Sequence, residues 1–270
     1  VAELALGHIL NADRRIADNV SALRDGQWNK KSFAKGSRGL KGRTLGLLGM
    51  GNIGAEVAKR AQAFHMNVIA WDISLTAERA AQLGVTQMDG PVEVAKHADV
   101  LSVHIALNDQ TRGLVSDDIL FALKPGAIFI NTSRGPVVDE QALRRAIQQN
   151  QIKCGLDVFC NEPTQDGEWS TPLAALQGVY GTHHIGASTE EAAESVGDEV
   201  LRIIRSWREE GTVPNCVNLA QASMATHLLV VRHKDEVGVL AGVLDTLRRG
   251  NINVQEMQNI VFQGSAAACA

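Results

Sequence analysis

A strand-like run that ends in glycines and opens directly into a helix constrains this chain more than any other feature. Thr44-Leu45-Gly46-Leu47-Leu48 is apolar, and Gly49-Met50-Gly51-Asn52-Ile53-Gly54 follows it at once, leading into a helical segment that runs to about Phe64. In that setting the glycine spacing has a physical reading. Gly49 permits a tight turn, Gly51 lets the backbone approach a pyrophosphate, and Gly54 lets helix and strand pack closely. The helix N-terminus adds free N–H groups and the positive end of a dipole. A second apolar run, Asn67-Val68-Ile69-Ala70-Trp71, ends at Asp72. That is close to the roughly 20-residue spacing at which an acid holds the adenosine ribose hydroxyls. Asp72 would repel a ribose phosphate, and Ile73 and Ser74 offer no arginine beside it, so NAD is favoured over NADP.

The alternation continues. Val100-Leu101-Ser102-Val103-His104, Ala127-Ile128-Phe129-Ile130-Asn131 and Cys154-Gly155-Leu156-Asp157-Val158 are apolar runs bounded by turn residues and separated by helical stretches. Continuous apolar strands of this kind are buried on both faces, so the pattern predicts an α/β fold, a Rossmann-type doubly wound parallel sheet. Ser188 to Trp207 reads as a helix, with Ser188 and Glu191 as its capping box and Ala192, Val196, Val200, Ile203, Ile204 and Trp207 at helical spacing. Ala2 to Leu23 carries a broken helical stripe. The basic run Lys30, Lys31, Lys35, Arg38, Lys41 and Arg43 reads as a solvated loop.

Composition excludes several classes. A net charge of −4 argues against a nucleic-acid binder held by bulk positive charge. No apolar stretch approaches the roughly 18 residues of a membrane span, and residues 1–10 lack the basic start and small-residue cleavage site expected of a signal peptide. Four cysteines without a CxxC pair read as reduced thiols of a cytoplasmic protein, and no metal site is expected. The chain starts at Val1 without a methionine and stops within what reads as a strand, so a fragment is expected.

Three further residues follow the later strands, where open parallel sheets place their ligands. Arg134, in Asn131-Thr132-Ser133-Arg134-Gly135, can grip a carboxylate and polarise a neighbouring carbonyl. Glu162 is presented by the turn before Pro163. His184 precedes Ile185-Gly186-Ala187-Ser188, and histidine is the side chain able to exchange a proton near neutral pH. Each alone has a duller explanation, as an ion-pair partner or a loop histidine. Because neighbouring side chains in an extended segment point opposite ways, only one of His183 and His184 can face the cofactor, and His184 is the choice.

Together the motifs resemble the D-isomer-specific 2-hydroxyacid dehydrogenase family over about residues 1–207. The resemblance rests on Val1-Ala2-Glu3-Leu4, the Gly49–Gly54 loop, His104 through Leu114, Asn131–Gly135 with Val138-Asp139-Glu140, Gly155–Pro163 and His184–Thr189. It implies that Arg134 binds substrate, that His184 is the general acid and base, and that Glu162 is its charge partner. It further implies that Asp157 contacts the nicotinamide amide, that Asn52 and Ile53 contact the pyrophosphate, and that Thr132, Ser133, Gly186 and Ala187 lie near the reactive ring. Two positions depart from the family pattern, His183 and Ala106, each standing where a proline is usual.

After Gly211 the composition becomes that of a linker. The tail then offers a strand at Leu228–Val231, a helix through Val239 and Leu247, and a strand at Ile252-Asn253-Val254, similar to the opening of an ACT-type regulatory domain of ferredoxin-like βαβ form. Within the family such a tail points to the branch that oxidises 3-phospho-D-glycerate at the first step of serine synthesis. It places His233, Asp235 and Asn253 near a serine effector, although Asp235 stands where serine-inhibited members often have Asn. The expected organisation is an NAD-binding domain over 1–187, with 1–25 as a dimer-contact helix of a homodimer or homotetramer. A helix over 188–210 returns to a substrate domain whose N-terminal lobe precedes Val1, then come a linker over 211–225 and a partial ACT domain over 226–270. The alternatives are a sister reductase of glyoxylate, hydroxypyruvate or another 2-keto acid, and an NADH-sensing co-repressor-like binding module.

Overall fold

The computed structural model describes residues 1–216, 227–262 and 266–269. Tertiary contacts divide the chain into two units, Val1–Val196 and Gly197–Ala270.

The first unit begins with α1 (Ala2–Arg14), α2 (Ile16–Arg24) and the short α3 (Lys30–Ala34). Strands and helices then alternate: β1 (Thr44–Leu48), α4 (Asn52–Ala63), β2 (Asn67–Trp71), α5 (Ala77–Leu83), β3 (Thr86–Gln87), α6 (Pro91–His97) and β4 (Val100–Val103). Next come α7 (Asp117–Leu120), β5 (Ile128–Asn131), α8 (Glu140–Asn150), β6 (Lys153–Leu156) and β7 (Val179–Gly181), and α9 (Glu190–Glu210) runs out of the unit. The seven strands form one parallel sheet in the order β3-β2-β1-β4-β5-β6-β7. The predicted strands are therefore present: those at 44–48 and 67–71 keep their bounds, those at 100–104 and 127–131 lose one end residue, and the one at 154–158 shifts to Lys153–Leu156; β3 is additional.

Side chains alternate across the sheet with period two and feed two cores. Leu45, Leu47, Val68, Ala70, Val100, Ile128 and Ile130 pack with α1, α4 and α5 on one face, while Leu48, Leu101, Val103, Phe129 and Leu156 pack with α6, α7 and α8 on the other. Local signals place the helix ends. Thr76 caps α5 and Gly84 ends it in the left-handed region, and the Asp139 side chain accepts the N–H groups of Gln141 and Ala142 to start α8.

Several expectations change. The break in the N-terminal stripe is Arg15, at φ 55°, which ends α1 and starts α2. Ala5, Leu6, Ile9 and Ala12 of α1 are buried against the chain's own sheet, whereas α2 leaves Ile16, Val20 and Leu23 exposed. The basic run is not wholly a solvated loop: Lys30–Ala34 is helical, and Arg43 is buried. Arg43 Nη1 donates to Asp13 at 2.9 Å, and Asp13 also accepts the N–H groups of Arg38 and Gly39, so a charge expected in water is neutralised inside. Thr189, not Ser188, accepts the Ala192 N–H at the start of α9, because Ser188 turns its own N–H back to the Ile185 carbonyl.

In the second unit β8 (Val231–Lys234), α10 (Val239–Arg249), β9 (Asn259–Phe262) and β10 (Ala266–Cys269) form a three-stranded antiparallel sheet in the order β8-β10-β9 beside a helix. The first strand sits later than Leu228–Val231, since pairing with β10 sets its register. Ile252-Asn253-Val254 is not a strand. There the chain completes the end of α10, with Asn251 at φ 53° and the Ile252 N–H bonded to the Leu247 carbonyl. Most of the 211–225 linker expectation falls on residues outside those described.

Candidate active site

The strand order reverses between β1 and β4, and the carboxyl ends of the strands there form the crevice in which such sheets bind ligands. The glycine loop after β1 fills one wall. A Cβ at Gly49 would stand 2.5 Å from the His104 carbonyl oxygen, and one at Gly54 only 2.1 Å from the Gly49 carbonyl oxygen, so both glycines are forced by close packing. A Cβ at Gly51 would meet nothing within 4 Å. Gly51, Asn52 and Ile53 are exposed at the first turn of α4, and no side chain caps that end. Its free N–H groups thus face an open approach suited to a pyrophosphate.

Asp72 lies at the end of β2. Its Oδ2 accepts the Met50 N–H at 2.8 Å, and its Oδ1 accepts the Ser74 N–H and hydroxyl, each at 2.8 Å. Burial alone would raise this carboxyl, but those donors outweigh it and hold the group below the ordinary carboxylate range. The residue therefore stays ionised and fixed against the glycine loop. After β4 and β5, the next strands of the sheet, His104 Nδ1 and Thr132 Oγ1 are buried without a protein partner. Orphaned buried polar atoms are uncommon, and ligand groups would satisfy them. The open face at Gly51, the ionised Asp72 and these two atoms together fit a dinucleotide.

The Arg134 loop is built on Asn131, whose buried side chain accepts the Ser133 N–H and hydroxyl and donates to the Arg134 carbonyl at 3.0 Å. Arg134 itself is exposed, and its Nη1 donates to the Ser133 carbonyl. A Cβ at Gly135 would lie 2.2 Å from the Phe159 carbonyl, so this loop is pressed against the segment that leads to Glu162. Glu162 folds back, its Oε1 accepting the Phe159 N–H at 2.7 Å, and its Oε2 lies 2.7 Å from His184 Nδ1. Both side chains remain partly open to solvent, at 29% for Glu162 and 45% for His184. The structure thus joins Glu162 to His184 directly. Arg134 stands on the adjoining loop and hydrogen-bonds to neither.

The Asp157 carboxylate is buried and accepts from three of the chain's own donors, the Thr182 hydroxyl, the Ile185 N–H and the Gly186 N–H, so it holds the His184 segment. Gly186 is buried in that same contact, while Ala187 is exposed. In the second unit His233 is tied to the Lys234 carbonyl and, at 3.1 Å, to Asn259, and among the described residues no hydrogen bond links it to Asp235 or Asn253. Among the described residues no group of three or more His, Cys, Asp or Glu side chains could hold a metal ion, and no helix is long and apolar enough to cross a membrane.

Residues 6–186 match the family profile of the D-isomer specific 2-hydroxyacid dehydrogenase, NAD binding domain. The chain belongs to the D-isomer-specific 2-hydroxyacid dehydrogenases. Its relatives in the family include the D-3-phosphoglycerate dehydrogenase of Methanocaldococcus jannaschii, 38% identical over 99% of this chain and 49% of that protein. The hydroxypyruvate reductase of Thermotoga maritima is 42% identical over 76% of this chain and 65% of that protein. Among solved structures, apo D-mandelate dehydrogenase of Rhodotorula graminis superposes with a TM-score of 0.71 at 28% identity, covering 76% of this chain and 61% of that one. The chain spans about half the length of the phosphoglycerate dehydrogenase relatives it matches most fully.

Two residues that organise this site carry no role in the sequence analysis. Asn131 governs the Arg134 loop, and Glu140 accepts the Cys160 N–H at 2.7 Å, tying α8 to the segment before Glu162. The signal for each is its place in the motifs that carry the family resemblance, and Asn131 is also a polar residue closing an apolar strand.

Proposed function

We propose that this chain is the cofactor-binding and proton-transferring part of a D-3-phosphoglycerate dehydrogenase, converting 3-phospho-D-glycerate and NAD+ to 3-phosphooxypyruvate and NADH. The observation that carries the reading is the His184–Glu162 pair at the carboxyl edge of the sheet. Glu162 takes the Nδ1–H of a neutral imidazole, which leaves Nε2 free to accept the substrate hydroxyl proton and to return it in the reverse direction. Arg134 grips the substrate carboxylate and orients the reacting carbon. Gly51, Asn52, Ile53 and Gly54 hold the pyrophosphate, Asp72 the adenosine ribose, and Thr132, Ser133 and Ala187 border the reactive ring. NAD, when bound, is the hydride acceptor.

The phosphoglycerate reading is favoured by the relative matched along nearly the whole chain and by the βαββ order of the second unit, which suits an ACT-type regulatory domain. His233, Asp235 and Asn253 are the residues through which serine would act there. The hydroxypyruvate reductase relative, at 42% identity, supports a sister 2-keto acid reductase as the second reading. A homodimer or homotetramer assembled through α2, in the cytoplasm, completes the proposal.

The test is 3-phosphoglycerate oxidation by a protein that contains this chain and the remainder of the substrate domain, with and without serine. Phosphoglycerate turnover is expected, together with its loss in His184→Gln, with NADH binding retained, and near-normal rates in His183→Gln. Turnover of hydroxypyruvate or glyoxylate alone would select the second reading. Retained turnover in His184→Gln would overturn the mechanism. NADH binding without turnover of any of these, and partner capture that tracks NADH, would indicate the binding-module class.

A further inference from the structure

His184 sits in an uncommon backbone conformation for a non-glycine residue, φ 53°. A non-glycine residue keeps such a conformation only where its surroundings hold it. What holds it is one residue. The N–H groups of His184, Ile185 and Gly186 all turn toward Asp157, the first to its backbone carbonyl at 2.9 Å, the second to Oδ1 at 2.9 Å and the third to Oδ2 at 2.8 Å. Three consecutive amides on one buried aspartate form a rigid socket, and the bonds to the carboxylate are of the strong, charge-assisted kind.

The socket is itself anchored. Thr182 Oγ1 lies 2.6 Å from Asp157 Oδ1, and His8 Nε2 lies 3.1 Å from Thr182 Oγ1. Chemistry fixes the direction of both bonds. An ionised carboxylate only accepts, so the single hydroxyl proton of Thr182 goes to Asp157, and the same oxygen must accept from His8, which therefore carries its proton on Nε2. His8 is 4% exposed, in the middle of the apolar stripe of α1. It lies across β6 so closely that a Cβ at Gly155 would stand 2.5 Å from its own Cβ. Burial pulls its imidazole below the ordinary histidine value, with the Asp157 charge opposing, so the ring is neutral at physiological pH.

We propose that His8 is a positioning residue for His184, acting from α1 through the buried chain Nε2–H to Thr182 Oγ1 to Asp157, which clamps the 184–186 backbone and aims the imidazole at Glu162. The proposal rests on the reading of His184 as the proton-transferring group, but its structural part stands without it. A histidine buried in an otherwise apolar stripe is thereby given a task that a leucine of similar volume could not perform.

The test compares the unaltered chain with His8→Leu, His8→Gln, Thr182→Val and Thr182→Ser. In the unaltered chain, 15N imidazole spectra near neutral pH should show His8 as the neutral Nε2–H tautomer. An Nδ1–H tautomer would overturn the proposal without any variant. Amide exchange at Ile185 and Gly186 should accelerate about tenfold in Thr182→Val and by a smaller factor in His8→Leu, while amides of β1 stay unchanged. His8→Gln, whose amide can still donate, and Thr182→Ser should restore slow exchange. In the active protein His8→Leu and Thr182→Val should lower kcat with little change in the KM for NAD, and His8→Gln and Thr182→Ser should restore it. Unaltered exchange at Ile185 and Gly186 in folded His8→Leu and Thr182→Val would sink the idea. Accelerated exchange with unaltered kcat would keep the clamp, remove its link to proton transfer and so refute the positioning role.

Discussion

The same substitution at two glycines of one loop should have opposite consequences. At Gly51 the backbone, φ −66° and ψ −166°, suits any residue, and an added Cβ meets nothing within 4 Å. Gly51→Ala should therefore leave stability within about 0.5 kcal/mol of the parent, or raise it by up to about 1 kcal/mol through a stiffer unfolded chain. The methyl nevertheless stands where a pyrophosphate must approach the N–H groups of Asn52, Ile53 and Gly54. Losing one or two hydrogen bonds to a charged group, at about 1.5–3 kcal/mol each, corresponds to an affinity loss of about a hundredfold. At Gly54 the Cβ would lie 2.1 Å from the Gly49 carbonyl oxygen, so α4 must withdraw by about 1 Å to reach an ordinary contact. Overpacking of that kind costs about 1–3 kcal/mol, or roughly 3–10 °C in Tm for a unit of this size. Calorimetry and an NADH fluorescence titration on the two variants separate the effects. Binding within threefold of the parent in Gly51→Ala, or an unchanged Tm in Gly54→Ala, would refute the reasoning.

Two further outcomes follow from buried charges. Asp13→Asn leaves the Arg43 guanidinium buried, 6% exposed, without its counter-charge, and should cost about 3–5 kcal/mol in urea unfolding; the paired Asp13→Leu, Arg43→Met variant should recover only part of the loss, because the Arg38 and Gly39 N–H groups lose their acceptor, and a loss under about 1 kcal/mol for the single change would contradict this. Burial pulls the His104 imidazole down to about 4, against about 6.5 in an unfolded chain. Between those values the unfolded state binds the extra proton, so this contribution is complete above pH 6.5, declines as the pH falls and levels off below about 4, a total of about 3 kcal/mol. His104→Gln should remove that part of the acid sensitivity between pH 7.5 and 4.5, and parallel losses in the parent and the variant would show that the ring is not held neutral.

Much of the site was legible in order along the chain, since each part depends on neighbours close in sequence. The glycine loop, Asp72 after β2, and Arg134, Glu162 and His184 beyond later strands all follow from one rule, that ligands meet a parallel sheet at its carboxyl edge. Strand pairing was less legible where a partner is remote. In the second unit, an apolar run at Leu228–Val231 gives way to Val231–Lys234 because β10, some thirty residues on, sets the register.

Periodicity and spacing by themselves determined the alternation of strands and helices and the cofactor class, because those are written in local pattern; Arg134, Glu162 and His184 stood out only through their places after strand ends taken together with the family resemblance. Only the tertiary structure decided where each apolar stripe and each charge is spent. It buries α1 against its own sheet, pairs Arg43 with Asp13 inside, and ties the Asp157 carboxylate to the Ile185 and Gly186 N–H groups. The physical reason is that burial and hydrogen-bond satisfaction are settled between segments far apart in sequence. His8 and Thr182 lie 174 residues apart, and no local pattern could have joined them.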